Sequence, residues 1–133
     1  MKNVEISIHD NEIHSYEMCF PEKNLTFKTS YLNEQTDIQF AAVLAYSFAW
    51  AGEQNVLFEA VESSIEGFVR WYSSNKDTQK AFENGFPIEG FATPEDLLLF
   101  LKSEEYRYYE LNASVGLDGF VIAKDMKIVP RSV

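Results

Sequence analysis

The chain has 133 residues, of which 46% are hydrophobic and 15% aromatic, so it can bury a substantial core without a disulfide or a metal. Its 21 acidic and 11 basic residues give a net charge of −10, which argues against binding to nucleic acid or to anionic membranes. The start of the chain lacks the apolar core of a signal peptide, and the longest nearly apolar run, 40–51, is too short to span a bilayer. We therefore expect a cytoplasmic protein.

Alternating apolar and polar residues near the start of the chain predict three antiparallel strands, each with one face toward solvent. These strands are expected at 4–8, 16–20 and 25–31. Turn-forming residues at 10–12 and 21–24 separate them. The pattern is typical of a β-meander.

The segment 37–50 is ambiguous because its composition and its periodicity favour different structures. Its alanines favour a helix, whereas its large and small residues alternate with a period of two. We interpret it as a central strand buried on both faces, with a helix as the alternative. A turn at 51–55 then leads to a partner strand at 56–61, which completes a hairpin.

Helix signals follow the hairpin. Ser63 and Glu66 form a capping box, and apolar residues then recur at helical spacing through Tyr72. Asp77 is expected to cap a second, short helix that ends at Asn84-Gly85. A third helix is predicted to begin at 93–96, where a threonine cap, a proline and two acids occur together.

Two further strands, 106–112 and 119–124, are predicted after the helices, joined by a loop through Gly116. The whole chain, 1–133, is therefore expected to form a single α+β domain. Its architecture is predicted to be an antiparallel β-sheet meander of about six to seven strands, covered on one face by two to three helices.

The sequence contains no recognisable catalytic or metal-binding motif. His9 and His14 flank the first turn, but two histidines are too few for a defined metal site. Cys19 has no signature of a nucleophile and cannot form an internal disulfide. We therefore predict that the protein is not an enzyme and requires no metal or cofactor.

The acidic residues are unevenly distributed, and this pattern points to a binding surface. No basic residue occurs between Lys28 and Arg70, and the acids of that stretch are interleaved with aromatic residues. Acids that steer a partner and aromatic residues that anchor it are typical of protein-binding hot spots. The alternative is that the aromatic residues form the core and the acids a solvated rim. The predicted binding residues are Asp37, Glu53, Glu59, Glu62, Glu66, Trp50, Trp71 and Tyr72.

Glu59 is the strongest single candidate among these residues. In the predicted strand 56–61 it shares a face with Leu57 and Val61. An isolated buried carboxylate is costly, so Glu59 either lies at an exposed end of the sheet or is retained for a function.

The later part of the chain resembles a known class of proteins. The segment 55–62 precedes the helix that contains Phe68, and a capped leucine-rich helix then precedes the segment 106–124. This order resembles that of small acidic immunity proteins found beside polymorphic toxins and contact-dependent growth inhibition systems in bacteria. The resemblance implies a protein that binds and neutralises one cognate toxin in a 1:1 complex, by occluding its active site or a nearby surface. Such toxins are often nucleases with basic clefts.

Two other hypotheses remain open from the sequence. The first is a small ligand-binding domain or enzyme with an aromatic pocket near Trp50 and Trp71. The second is an acidic nucleic-acid mimic that inhibits a DNA-binding protein. The first predicts a concave cavity with convergent polar groups, and the second predicts regular rows of carboxylates.

Overall fold

Antiparallel strands account for most of the described residues, which also contain two helices. The computed structural model describes residues 8–49, 51–74, 84–85 and 91–131. Within these residues the strands are β1 (Glu12–Cys19), β2 (Asn24–Tyr31), β3 (Glu34–Ala41), β4 (Ala45–Ala49), β5 (Val56–Ser63), β6 (Asn84–Gly85), β7 (Arg107–Val115), β8 (Asp118–Ala123) and β9 (Asp125–Arg131). The helices are α1 (Ile65–Ser74) and α2 (Pro94–Ser103).

Tight turns set the register of the first three strands. The turn between β1 and β2 falls at the predicted position and places Lys23 in the left-handed region, with a φ of 58°. β2 and β3 are joined by Leu32 and Asn33 alone, both with positive φ. Two such residues match the right-handed twist of a hairpin. The predicted strands 16–20 and 25–31 correspond to β1 and β2. The third strand of the observed meander is β3, which was not predicted as part of it.

Within the segment 37–50, residues 37–41 and 45–49 are β-strand, as the period of two predicts, and not helix. The prediction of one continuous central strand is wrong, because the chain breaks after β3 and resumes as β4. Ala42, between the two, adopts a φ of 53°, which no regular strand contains. The small alanine side chain limits the steric cost of that conformation.

This break allows the sheet to close on itself. The strand order is β6-β4-β8-β7-β5-β1-β2-β3-β9, so β3 and β4 lie near opposite ends of the sheet although they are consecutive in the chain. β8 and β9 are likewise consecutive and pair with β4 and β3. Hydrogen bonds continue across both breaks, from Leu44 N–H to Ile122 O (2.8 Å) and from Lys124 N–H to Ala41 O (3.1 Å). The segments 34–49 and 118–131 are paired along their length and bend at these breaks. Together they connect one end of the sheet to the other.

The closed sheet has an interior that forms the larger core. Phe27 of β2 contacts Phe48 of β4 with ring centroids 5.2 Å apart, and Phe40 of β3 contacts Tyr109 of β7 at 5.5 Å. These strands are not neighbours in the sheet, so the contacts cross its interior. The buried residues of this core are Ile8, Ile13, Leu25, Phe27, Ile38, Phe40, Val43, Tyr46, Phe48, Leu57, Tyr109, Leu111, Leu117, Val121 and Ala123.

The helices cover part of the outer face. A second core lies between α1, α2 and the outer sides of β4 and β8. The prediction that helices cover one face of the sheet is therefore only partly right. The inner face is covered by the sheet itself, and the described helices cover only part of the outer face. This second core contains Ala45, Phe68, Val69, Tyr72, Leu97, Leu101, Phe120 and Ile122.

Both helix starts are explained by side-chain caps. Thr93 Oγ1 accepts a hydrogen bond from Asp96 N–H (3.1 Å), as the threonine–proline start predicts. The first helix is capped by Ser64 and not by Ser63, which ends β5. Ser64 Oγ accepts from Gly67 N–H (2.9 Å), so the predicted capping box is displaced by one residue.

Strand number also differs from the prediction of six to seven. Eight strands of five or more residues and the two-residue β6 occur in the described part of the chain. Asn84 and Gly85 pair with β4. The predicted strand at 4–8 and the predicted helix from Asp77 lie largely outside the described residues. The α+β class is confirmed.

Candidate functional site

Asp37, the first of the predicted acids, is buried in an ion pair. It lies on the outer face of β3 and its Oδ1 is 2.6 Å from Arg131 Nε on β9. Only 12% of the Asp37 side chain is exposed. Its charge is therefore balanced within the fold.

Glu62 and Glu66 are also paired with cations. Glu62 Oε1 lies 3.4 Å from Arg107 Nη1, and Glu66 Oε1 lies 2.5 Å from Lys102 Nζ. The hydrogen bond from Lys102 lowers the pKa of Glu66 below its usual value. These exposed pairs reduce the negative field at this end of the sheet.

Glu59 occupies a different face from the predicted one. β5 contains a bulge at Phe58, because Leu57 pairs with Ala113 whereas Glu59 pairs with Asn112. A single extra residue reverses the alternation of a strand. Leu57 consequently points into the interior core, and Glu59 lies on the outer face. There Glu59 Oε1 accepts a hydrogen bond from Asn112 Nδ2 (3.0 Å), a neutral partner.

Two further carboxylates join Glu59 on this outer face. Glu110 follows the same alternation along β7, and Asp118 begins β8. Asp118 Oδ1 accepts a hydrogen bond from Ala113 N–H (2.9 Å). Within the described residues none of the three lies at ion-pair distance from a cation. We call Glu59, Glu110 and Asp118 the outer carboxylates.

Sequence reasoning missed Glu110 and Asp118. Alternation through 106–112 places Glu110 on the face opposite Tyr109 and Leu111, so the signal was present. Their proximity to Glu59 depends on the pairing of β7 with both β5 and β8, which no local pattern specifies.

An aromatic pocket of about 250 Å³ adjoins the outer carboxylates. Phe68 is its most buried ring, and Tyr108 contacts Phe68 with centroids 4.9 Å apart. Trp71, a predicted anchor, is 39% exposed and its ring centroid lies 6.2 Å from that of Phe68. Glu110 also lines this pocket. The site therefore combines aromatic walls with a carboxylate.

The electrostatics of the pocket are negative. Burial, together with the nearby carboxylates of Glu110 and Asp118, raises the pKa of Tyr108 well above its usual value. The phenol is consequently neutral at physiological pH and acts as an apolar wall with a polar tip.

The remaining predicted residues lie elsewhere. Tyr72 is 6% exposed and stacks on Phe68 within the helix-covered core, so it serves packing. Glu53 is exposed in the loop before β5. Asn55 fixes that loop, because its Oδ1 accepts hydrogen bonds from Gly52 N–H and Leu117 N–H. Trp50 lies outside the described residues.

The histidines and Cys19 do not converge on a site. His14 Nε2 lies 2.5 Å from Ser30 Oγ, and His9 packs edge-on against Phe58 with centroids 5.2 Å apart. Across 8–49, 51–74 and 91–131 no three histidine, cysteine or acidic side chains come together as metal ligands would.

No protein-family model, curated protein or solved structure matches the chain. Neither α1 nor α2 is long and apolar enough to cross a membrane.

Proposed function

We propose that the protein is a binding protein that captures a basic protein partner through the outer carboxylates and the adjoining aromatic pocket. The single observation that carries this proposal is that Glu110, which has no cation at ion-pair distance within the described residues, lines a pocket with aromatic walls. In the described part of the chain, Asp37, Glu62 and Glu66 lie at ion-pair distance from cations, whereas none of the outer carboxylates does. Glu59 and Asp118 accept hydrogen bonds from the neutral groups Asn112 Nδ2 and Ala113 N–H. Uncompensated carboxylates beside partly exposed aromatic rings favour a cationic partner.

The partner that we propose is the toxin domain of a contact-dependent growth inhibition or polymorphic toxin system. The resemblance of the segments 55–62 and 106–124 to immunity proteins supports it, as does the net charge of −10. A nuclease toxin has a basic cleft for phosphates, and an acidic protein is attracted to that cleft over a long range. Binding there, or beside it, in a 1:1 complex in the cytoplasm neutralises the toxin without catalysis or a cofactor.

The dimensions of this pocket suit one side chain of a protein partner better than an enclosed small molecule. At about 250 Å³ the pocket is smaller than most sites that enclose a ligand, which run from about 300 to 1,000 Å³. It is large enough for one side chain of a protein partner.

Co-expression with the toxin domain encoded by the adjacent gene tests the proposed function. We expect the chain to restore growth to cells that produce the toxin and to elute with it as a 1:1 complex in size-exclusion chromatography with light scattering. The proposal would be refuted if this chain did not restore growth to cells that express the toxin and if the two purified proteins formed no complex.

A further inference from the structure

The aromatic pocket lies between α1 and the outer side of β7. One wall is the α1 face that carries Gly67, Phe68 and Trp71, and the opposite wall is the outer side of β7, with Tyr108 and Glu110. Because Gly67 has no side chain, it leaves space between the helix and the strand. A Cβ on Gly67 would come within 4 Å of Ser64 alone, so the pocket is open on the side of this glycine.

Charge determines what such a pocket accepts. Glu110 lines it, and Asp118 is close enough to influence the ionisation of Tyr108. Within the described residues no cation lies at ion-pair distance from either carboxylate. Aromatic faces carry a negative quadrupole, so rings and carboxylates attract the same kind of ligand.

We propose that this pocket binds an arginine side chain of the basic partner. A guanidinium is planar, stacks on aromatic rings and donates two parallel hydrogen bonds to one carboxylate. Trp71 and Tyr108 supply aromatic rings, and Glu110 supplies the carboxylate. A lysine ammonium offers a point charge and no stacking surface, so we expect it to bind more weakly. The inference rests on the proposed function, because the arginine belongs to the partner.

Gly67 provides a test that leaves the charges unchanged. A Cβ at this position would meet Ser64 Oγ at 3.4 Å and Ser64 Cβ at 3.5 Å, which are ordinary contacts. The helix therefore tolerates a side chain at this position, and replacing a glycine in a helix favours folding. Because Gly67 lines the pocket, we expect the longer side chain of Gly67→Leu to occupy part of it. The variant separates loss of binding from loss of structure.

The first experiment uses N-acetyl-arginine amide as the probe, with N-acetyl-citrulline amide as its uncharged analogue of the same shape. Binding is followed by the ¹H–¹⁵N signals of the Trp71 indole and of the Gly67 and Glu110 amides, with the indole assigned through Trp71→Phe. We expect saturable shifts with arginine and none with citrulline. Glu110→Gln should weaken arginine binding about tenfold, and Gly67→Leu should abolish it. Glu34→Gln, an equal charge change at an exposed acid on β3, should leave it within about twofold.

Three results would overturn the inference. They are equal shifts with citrulline, unchanged arginine binding in Gly67→Leu, and tighter binding of N-acetyl-lysine amide than of the arginine probe. Titrating the toxin domain against Gly67→Leu separates this inference from the proposed function. If Gly67→Leu leaves the toxin affinity unchanged, the arginine-binding role of the pocket is refuted while the proposed function stands. If arginine binds saturably but no toxin complex forms, the arginine-binding role is supported and the proposed function is refuted.

Discussion

Gly119 provides a sharp test of the closed sheet. It lies in β8, opposite Phe48 of β4 and Leu111 of β7. A methyl group there would overlap the carbonyl oxygen of Ser47, and it would lie 2.7 Å from Phe48 Cδ1 and 2.9 Å from Phe48 Cα. Two of these atoms belong to the β4 backbone, so a side-chain rotation cannot relieve the overlap. Gly119→Ala must separate β4 from β8, which is the pairing that closes the sheet.

The expected cost of Gly119→Ala is about 3 kcal/mol of unfolding free energy, at the upper end of the range for overpacked cores. For 133 residues, an unfolding entropy of about 2.1 cal/mol/K per residue converts this loss into a fall in Tm of about 10 °C. Urea denaturation followed by tryptophan fluorescence and thermal melting followed by circular dichroism measure the two quantities.

Gly67→Ala is the matched control for this prediction. Its added methyl group makes only ordinary contacts and it removes a glycine from α1, so we expect a gain of about 0.5–1 kcal/mol. The two substitutions are chemically identical and should shift stability in opposite directions. A change of less than about 0.5 kcal/mol in Gly119→Ala would refute the close approach of β4 and β8.

Two further predictions concern ion pairs and pH. Arg131→Ala should lower the free energy of unfolding by about 2 kcal/mol, because it leaves the Asp37 carboxylate buried without its cation. Arg107→Ala, which breaks an exposed pair, should cost less than about 1 kcal/mol, and equal losses in denaturant titrations would contradict this difference. Tyr108 has a raised pKa, so its contribution to stability is complete below the tyrosine pKa of the unfolded chain, about 10, and is lost as the pH rises above it. The free energy of unfolding of Tyr108→Phe should therefore fall less than that of the wild type between neutral and strongly alkaline pH. An equal fall in both proteins would contradict the burial of this phenol.

Local sequence accounts for the parts of the fold that depend on neighbouring residues. The alternation through 25–31 predicted β2, and the threonine–proline start predicted α2. Both signals arise within a few residues, where side-chain periodicity and capping act directly. The α+β class follows from the sum of such elements.

Long-range pairing explains what the sequence did not predict. The break after Ala41 follows from the closure of the sheet, and the Phe58 bulge places Glu59 on the outer face. Arg131 neutralises Asp37 although the two are far apart in sequence. Charge spacing alone therefore overestimated the number of acids available to a partner, because it contains no information about cations from distant strands.

The central claim is that the outer carboxylates bind a basic partner, and calorimetric titration with the proposed toxin partner tests it most directly. The variant is Glu59→Gln with Glu110→Gln, and the control is Glu34→Gln with Glu95→Gln, which makes the same change in net charge at exposed acids elsewhere. We expect the first pair to weaken binding at least about tenfold at low salt, with the loss shrinking as salt screens the charges, and the control to stay within about twofold. Equal weakening by both pairs, or none by either, would contradict the account.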